Sequence, residues 1–145
     1  MKCIIAQEQK HFYDQVLVRK QVFIMEQQVP VEEEFDEYDR DAVQFVVYDG
    51  DRPIGAGRFR ILNNKGKIER ICVLKPYRKR GVGRLLMETI EAYARTNTDV
   101  DVLILGAQLQ AIPFYEKLGF TAYGEVFLDA NIEHRWMKKE IKTAH

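Results

Sequence analysis

The chain has only two cysteines in 145 residues, Cys3 and Cys72, too few for a disulfide framework. No window approaches the roughly 18 consecutive apolar residues of a membrane-spanning helix. The opening "MKCIIAQEQK" breaks off at Glu8, too soon for a secretory apolar core. These absences set the expectation of a reduced, cytoplasmic protein with no membrane contact. Net charge is missing too: Lys plus Arg and Asp plus Glu each number 22. Nucleic-acid modules usually carry a basic excess, because neutralising phosphate supplies much of their affinity, so no nucleic-acid partner is expected. The chain shows no internal repeat, low-complexity tract or Gly/Ser/Pro linker, and its length suits one domain, residues 1–145. No His/Cys/carboxylate grouping has metal-ligand spacing, so no metal is expected.

What the chain does have is charge segregated along its length. "KPYRKRGVGRLL", Lys75 to Leu86, packs five basic residues and two glycines into twelve positions. "EEEFDEYDRD", Glu32 to Asp41, carries seven acidic residues against one Arg. Around these, periodicity defines the elements. Lys2–Gln7 reads as a strand. From Glu8 to about Gln27, Phe12, Val16, Leu17, Phe23 and Ile24, with the stem of Arg19, recur at helical spacing. Pro30 and the acid run end that helix and leave a loop or a short second helix. Ala42–Asp49, Ile54–Leu62 and Ile68–Leu74 are β-branched or aromatic runs joined by the turns "DGDRP" and "NNKGK", an antiparallel meander. A helix from about Gly81 to Thr96 puts Val82, Leu85, Leu86, Ile90, Tyr93 and Ala94 on one face. Val100–Gln108 reads as a strand covered on both faces. Ala111–Gly119 is a short helix, and Phe120–Phe127 and Glu133–Ile141 close the chain as strands. The order is β-α-(α)-β-β-β-α-β-α-β-β, an α+β fold with a right-handed parallel crossover between Ile68 and Leu105.

The basic stretch admits four readings: a nucleic-acid patch, a localisation signal, a solvated loop or a cradle for a phosphorylated ligand. Its place after a strand and at the opening of a helix favours the last, because the first free N–H groups and the positive end of the helix dipole face one space. Arg78, Lys79, Arg80 and Arg84 add side-chain charge, while Gly81 and Gly83 admit a ligand close to the backbone. The pattern alone is weak, since G-x-G turns up roughly 0.7 times by chance in a chain of this length. A Walker loop and the dinucleotide G-x-G-x-x-G are both excluded, the latter by Leu86.

"ICVLKPYRKRGVGRLLME" resembles the acetyl-CoA-binding motif of the GNAT superfamily of N-acetyltransferases, Arg/Gln-x-x-Gly-x-Gly/Ala, filled here by Arg78, Gly81 and Gly83. "AQLQAIPFYEKLGF" is similar to a second signature of that superfamily, with Ala111, Tyr115, Gly119 and Phe120 in place and Gln108 where Asn is usual. Most of the chain, with "NIEHRWM" near its end, also resembles a small bacterial branch of GNAT proteins. The resemblance implies helices on both faces of a mixed, mostly antiparallel sheet. It implies acetyl transfer from acetyl-CoA to a primary amine, on a small molecule or a protein, directly within a ternary complex. It further implies that Lys79, Arg80, Gly81, Val82, Gly83 and Arg84 hold the pyrophosphate, that Ile71, Cys72 and Val73 pair with pantetheine, and that Gln108 and Phe114 contact the cofactor. Members of the superfamily often form homodimers. A CoA-binding regulator without catalysis is the alternative.

Individual candidates carry two readings each. Tyr115 is an aromatic on a core face, or, by the resemblance, the acid that meets the departing thiolate. Glu69 shares a face with Ile71 and Val73 if no bulge intervenes, which makes it a base in the cleft; otherwise it is a cross-strand partner of Arg58 or Arg60. His134 suits base work near neutrality, or is a structural strand histidine. Cys72 reads as a buried thiol rather than an acyl carrier. In the resembled fold the segment after the first helix borders the acceptor, so Glu26, Glu33 and Glu34 are expected to form a negative lip for a cationic amine, against the plainer reading of a solvated loop.

Overall fold

A computed structural model describes residues 1–141. One seven-stranded sheet runs through it in the order β1-β2-β3-β4-β5-β7-β6. The strands are β1 (Lys2–Ile5), β2 (Val43–Asp49), β3 (Arg52–Leu62), β4 (Lys65–Val73), β5 (Val102–Gln108), β6 (Thr121–Asp129) and β7 (Ile132–Glu140). Every pairing is antiparallel except β4 with β5, which joins the two ends of the crossover through α3 (Val82–Asn97). This is the element order expected from periodicity. The remaining helices are α1 (Gln9–Arg19), α2 (Val31–Glu34) and α4 (Ile112–Lys117).

The sheet has two unlike sides. On one, α3 and α4 cover the main core, where Leu86, Ile90, Leu103, Leu105 and Met137 are essentially sealed from water. Tyr93 of α3 sets its ring edge-on to Phe45 and Phe59, at 5.9 and 5.8 Å between centroids. Truncating one such side chain, Leu86→Ala, costs about 2–5 kcal/mol by transfer and cavity terms.

On the other side α1 lies over β2, β3 and β4, and here the expected apolar stripe is wrong. Phe12 and Leu17 are exposed, while Asp14, Gln15, Val18 and Arg19 point inward. Only a small apolar cluster forms, Val18 and Val22 against Ala56 and Cys72. The rest of the contact is ionic. Arg19, fully buried, donates to Glu34 (2.7 Å) and Asp39 (2.6 Å). Arg58, equally buried on β3, donates to Asp36 (2.8 and 2.9 Å), Asp39 (2.9 Å) and Glu69 (3.0 Å). Arg70 reaches Glu34 and Asp36, both at 3.2 Å. The acid run is therefore solvated only in part: Glu32, Glu33, Glu37 and Asp41 are exposed, and Glu34, Asp36 and Asp39 are drawn in. These three turn inward because the guanidinium groups of Arg19, Arg58 and Arg70 between α1 and the sheet need counter-charge, and a buried ion left unpaired costs several kcal/mol. Burial opposes ionisation of Asp39, but the hydrogen bonds and charges of Arg19 and Arg58 outweigh it and hold its carboxyl at about 2.

After Arg19 the helix widens. Over Lys20–Glu26 it runs with π geometry, and the N–H of Gln27 bonds the carbonyl of Val22 five residues back at 3.0 Å. Such wide turns are rare and often stand beside functional sites. This one brings Gln27 to the cleft described next and Glu26 to Arg78 beside it.

Candidate acyl-transfer site

The parallel strands β4 and β5 pair only at Gly66 with Leu103 and Lys67 with Ile104, then part. A backbone edge is left open on each, and edges left unpaired are templates for another extended chain. The gap is a cleft of about 540 Å³. Ile71, Cys72 and Val73 line one wall and Leu105 to Gln108 the other.

The divergence begins at a bulge. Ala56 of β3 faces Cys72, and Arg58 faces Glu69, so Gly57 alone stands against two residues of β4. Arg70 takes the strain at φ 60°, a left-handed conformation uncommon outside glycine. The bulge also reverses the facing expected for Glu69. Ile68 and Ile71, three apart, both join the α3-side core, whereas Cys72 joins the α1 side. Glu69 still lines the cleft, but there it meets Arg58, Arg60 (2.8 Å) and Lys67 (2.9 Å). Burial works against its charge, yet hydrogen bonds from Arg60 and Lys67 and the Arg58 charge hold its carboxyl down at about 2. A carboxylate that weakly basic is a poor proton acceptor. Its geometry is that of the cross-strand ion pair.

At the mouth, the glycine loop opens α3. The first helical bond runs from the Leu85 N–H to the Gly81 carbonyl (3.0 Å), which leaves the N–H groups of Val82, Gly83 and Arg84 without helical acceptors. With the dipole of a sixteen-residue helix behind them, they suit a pyrophosphate. The two glycines differ in purpose. Gly81 turns the chain at φ 83° and faces open space, while a Cβ on Gly83 would stand 3.1 Å from the Phe114 ring. Gly83 is thus small for packing and not for a ligand. Val82 and Cys72 send their side chains into the core, which leaves their backbone for any contact. Burial pushes the Cys72 thiol well above its ordinary range, against any acyl-cysteine role. Lys79 and Arg84 line the cleft. Arg80 lies outside it, with its guanidinium 5.5 Å from the Tyr77 ring centre.

Arg78 is held on two sides. Its Nε donates to the Val73 carbonyl (2.9 Å), and its two terminal nitrogens grip the Glu26 carboxylate at 2.6 and 2.7 Å. Gln108 makes a parallel link, donating to the Gln27 side chain at 2.9 Å. The end of the π turn thereby touches both lips of the split between β4 and β5.

Tyr115 of α4 stands on the inner wall, its ring edge-on to Phe114 (4.9 Å) and Phe120 (6.1 Å). Burial first, then the neighbouring Cys72, push its phenol well above its ordinary range, so it keeps its proton. His134 of β7 reaches the same cleft. Its Nδ1 lies 2.7 Å from the Ile132 carbonyl. A carbonyl only accepts, so this contact assigns the neutral ring's hydrogen to Nδ1 and leaves the Nε2 lone pair available.

The acidic lip does not form as a set. Glu26 is spent on Arg78, whose hydrogen bonds draw its carboxyl below the usual range. Glu34 is buried beneath α1, where burial pushes its carboxyl up and the guanidinium groups of Arg70 and Arg19 oppose that push. Glu33 alone is exposed on the cleft. Conversely, Phe127 and Trp136 line the cleft without having been singled out from sequence. Strand alternation from His134 points to Trp136, whereas Phe127 depends on a bulge in β6 that no local signal announces.

Comparison with known proteins agrees with this geometry. The family model described as "Acetyltransferase (GNAT) domain" matches residues 7–141. The Bacillus subtilis protein named "Uncharacterized N-acetyltransferase YjcF" is 46% identical over 97% of this chain and 100% of its own length. A crystal structure from Lactobacillus plantarum matches with TM-score 0.88 at 25% identity, over 96% of this chain and 97% of that one. Escherichia coli ElaA shares the fold, with TM-score 0.83 at 24% identity over 97% of this chain and 100% of its own. No helix among the described residues is long and apolar enough to cross a membrane. By motif, architecture and relatedness, this chain belongs to the GNAT acetyltransferase family.

Proposed function

We propose that the protein moves an acetyl group from acetyl-CoA to a primary amine within a ternary complex. One observation carries the reading: the open edges of β4 and β5, the free amides of α3 and Tyr115 line one cleft. Residues Val82 to Arg84 hold the pyrophosphate. The β4 edge from Ile71 to Val73 pairs with the pantetheine amides, and an amide near Cys72 or Val73 steadies the carbonyl oxygen as it gains charge. His134 Nε2 takes a proton from the ammonium, so that the nitrogen lone pair forms the new C–N bond as the C–S bond breaks. Glu69 is the weaker candidate for that step, because its ion pairs already satisfy its charge. The departing thiolate leaves hydrogen-bonded to Tyr115. Thiols titrate near 8.5, below a raised phenol, so Tyr115 supports the sulfur without surrendering its proton outright.

The test is purified protein with acetyl-CoA and a panel of amines, reading thiol release and product mass. Release above hydrolysis, with kcat falling about 10²-fold in Tyr115→Phe, supports the assignment. Full activity in that variant removes Tyr115 from the role, and absence of acetylated product from every amine overturns the transfer itself.

A further inference from the structure

Beside the acyl-transfer groups, the cleft has an aromatic wall of which the chemistry above uses only His134. Along β7, Trp136 stands opposite Gly106 of β5 and His134 opposite Gln108. On the other flank β6 breaks its pairing: Tyr123 faces Trp136 and Phe127 faces His134, so Gly124, Glu125 and Val126 stand against Arg135 alone. Gly124 turns at φ 75°, and its carbonyl accepts a hydrogen bond from Arg135 at 3.2 Å. The bulge carries Phe127 along the strand until its ring stacks on both neighbours, at 5.1 Å from Trp136 and 5.6 Å from His134, each inclined by 24°. A Cβ on Gly106 would stand 3.2 Å from the tip of the Phe127 ring, so β5 is bare where the rings lie. Phe127 and Trp136 are only half-buried, and both line the cleft. Large rings held partly open to a cavity are recognition surfaces more than core.

The charges at this end have one sign to spare. Lys67, whose ammonium lies 5.4 Å from the Trp136 ring centre, is matched by Glu69, and Arg70 by Glu34 and Asp36. Glu33 and Asp129 bring exposed carboxylates to the same cleft. We propose that the acceptor is a cationic primary amine carried on an aromatic ring, with the ring packed against Phe127 and Trp136. This rests on the amine-acetylating reading above and narrows its substrate. A polyamine would bring several charges to a wall of rings, where stripping their water is costly. An arylalkylamine brings one charge and a flat face, the combination that aromatic walls favour.

Trp136 is the only tryptophan in the chain, so its emission reports this wall without any turnover. CoA-loaded protein titrated with 2-phenylethylamine, excited where phenyl rings do not absorb, is expected to show a saturable change. Spermidine and n-butylamine should leave the emission unaltered. In Phe127→Leu the ratio of kcat/KM for 2-phenylethylamine over n-butylamine should fall about tenfold, as expected for loss of an aromatic pair. Equal loss for both amines would mean that the ring only props His134, and overturns the proposal. So would a response to spermidine or to a peptide amino terminus with none to 2-phenylethylamine. A saturable emission change with no acetylation of any amine would keep the ring site and remove the transfer reading instead.

Discussion

The two sides of the sheet use charge in opposite ways. At the glycine loop, Lys79 stands at the cleft with backbone amides from contiguous residues and has no carboxylate partner among the described residues, while Arg84 meets only the exposed Glu88 at 3.4 Å. Beneath α1, Arg19, Arg58 and Arg70 are paired with Glu34, Asp36, Asp39 and Glu69, and that charge is spent within the network even where Glu69 and Arg70 border the cleft. The contrast teaches that charge density in a sequence says little until the partners are known. A basic run with no internal acid is a site, while an acid run with buried arginines is a scaffold.

Experiments that remove one side and spare the other test this contrast most sharply. The largest effect is expected for Arg58→Met. It takes one partner each from Asp36, Asp39 and Glu69 beneath the helix, and breaking a buried ion pair costs about 3–5 kcal/mol. Chemical denaturation should record that loss, and an unchanged midpoint would show the network to be decorative. Next is His134→Gln, which keeps a hydrogen-bond donor at the position but removes the base. In folded protein kcat should drop about 10²-fold, with the KM for acetyl-CoA held.

Glu69→Gln should do the reverse, lowering stability by about 1–3 kcal/mol while the folded enzyme keeps its kcat. A matched loss of kcat without loss of stability would return Glu69 to the chemistry. Acid should expose the same network. Asp39 and Glu69 titrate near 2 when folded, below their ordinary 3.8 and 4.5, so their stabilisation is complete above those values. It is lost as pH falls from about 4.5 toward 2, because the unfolded chain then binds more protons. A pH-dependent melt that stays flat through that window would contradict the assignment. The smallest effect belongs to Glu26→Gln, which loosens Arg78 at a half-open site. Ion pairs so placed contribute about 1 kcal/mol or less, and acetyl-CoA KM should move by no more than about fivefold.

The same contrast explains what was legible beforehand. The loop, α3 and α4 follow from residues adjacent in sequence, so helical periodicity placed them. The glycine spacing was weak until the resemblance of two motifs gave it a meaning, and the strand edge beside pantetheine came from that resemblance alone. The inner face of α1 did not. Asp14, Gln15 and Arg19 occupy its buried positions, and side chains of that kind are almost never buried without partners. Those partners lie 15 to 20 residues on for Arg19. Local pattern therefore chose Phe12 and Leu17 instead. The facing of Glu69 failed for a smaller reason, one extra residue at Arg70. A strand with period two cannot announce its own bulge.

The seam of two residue pairs between β4 and β5 has a consequence for how the molecule moves. Beyond Lys67 the sheet is two half-sheets, and the amides of β4 that face the gap meet solvent where a neighbouring strand would stand. They form a built-in reporter: hydrogen–deuterium exchange should be fast there in the free protein and slow when an extended ligand lies in the gap. The amides of β4 bonded to β3 should not respond. A strand protected on one edge and labile on the other would mark the protein as a sheet completed by what it binds.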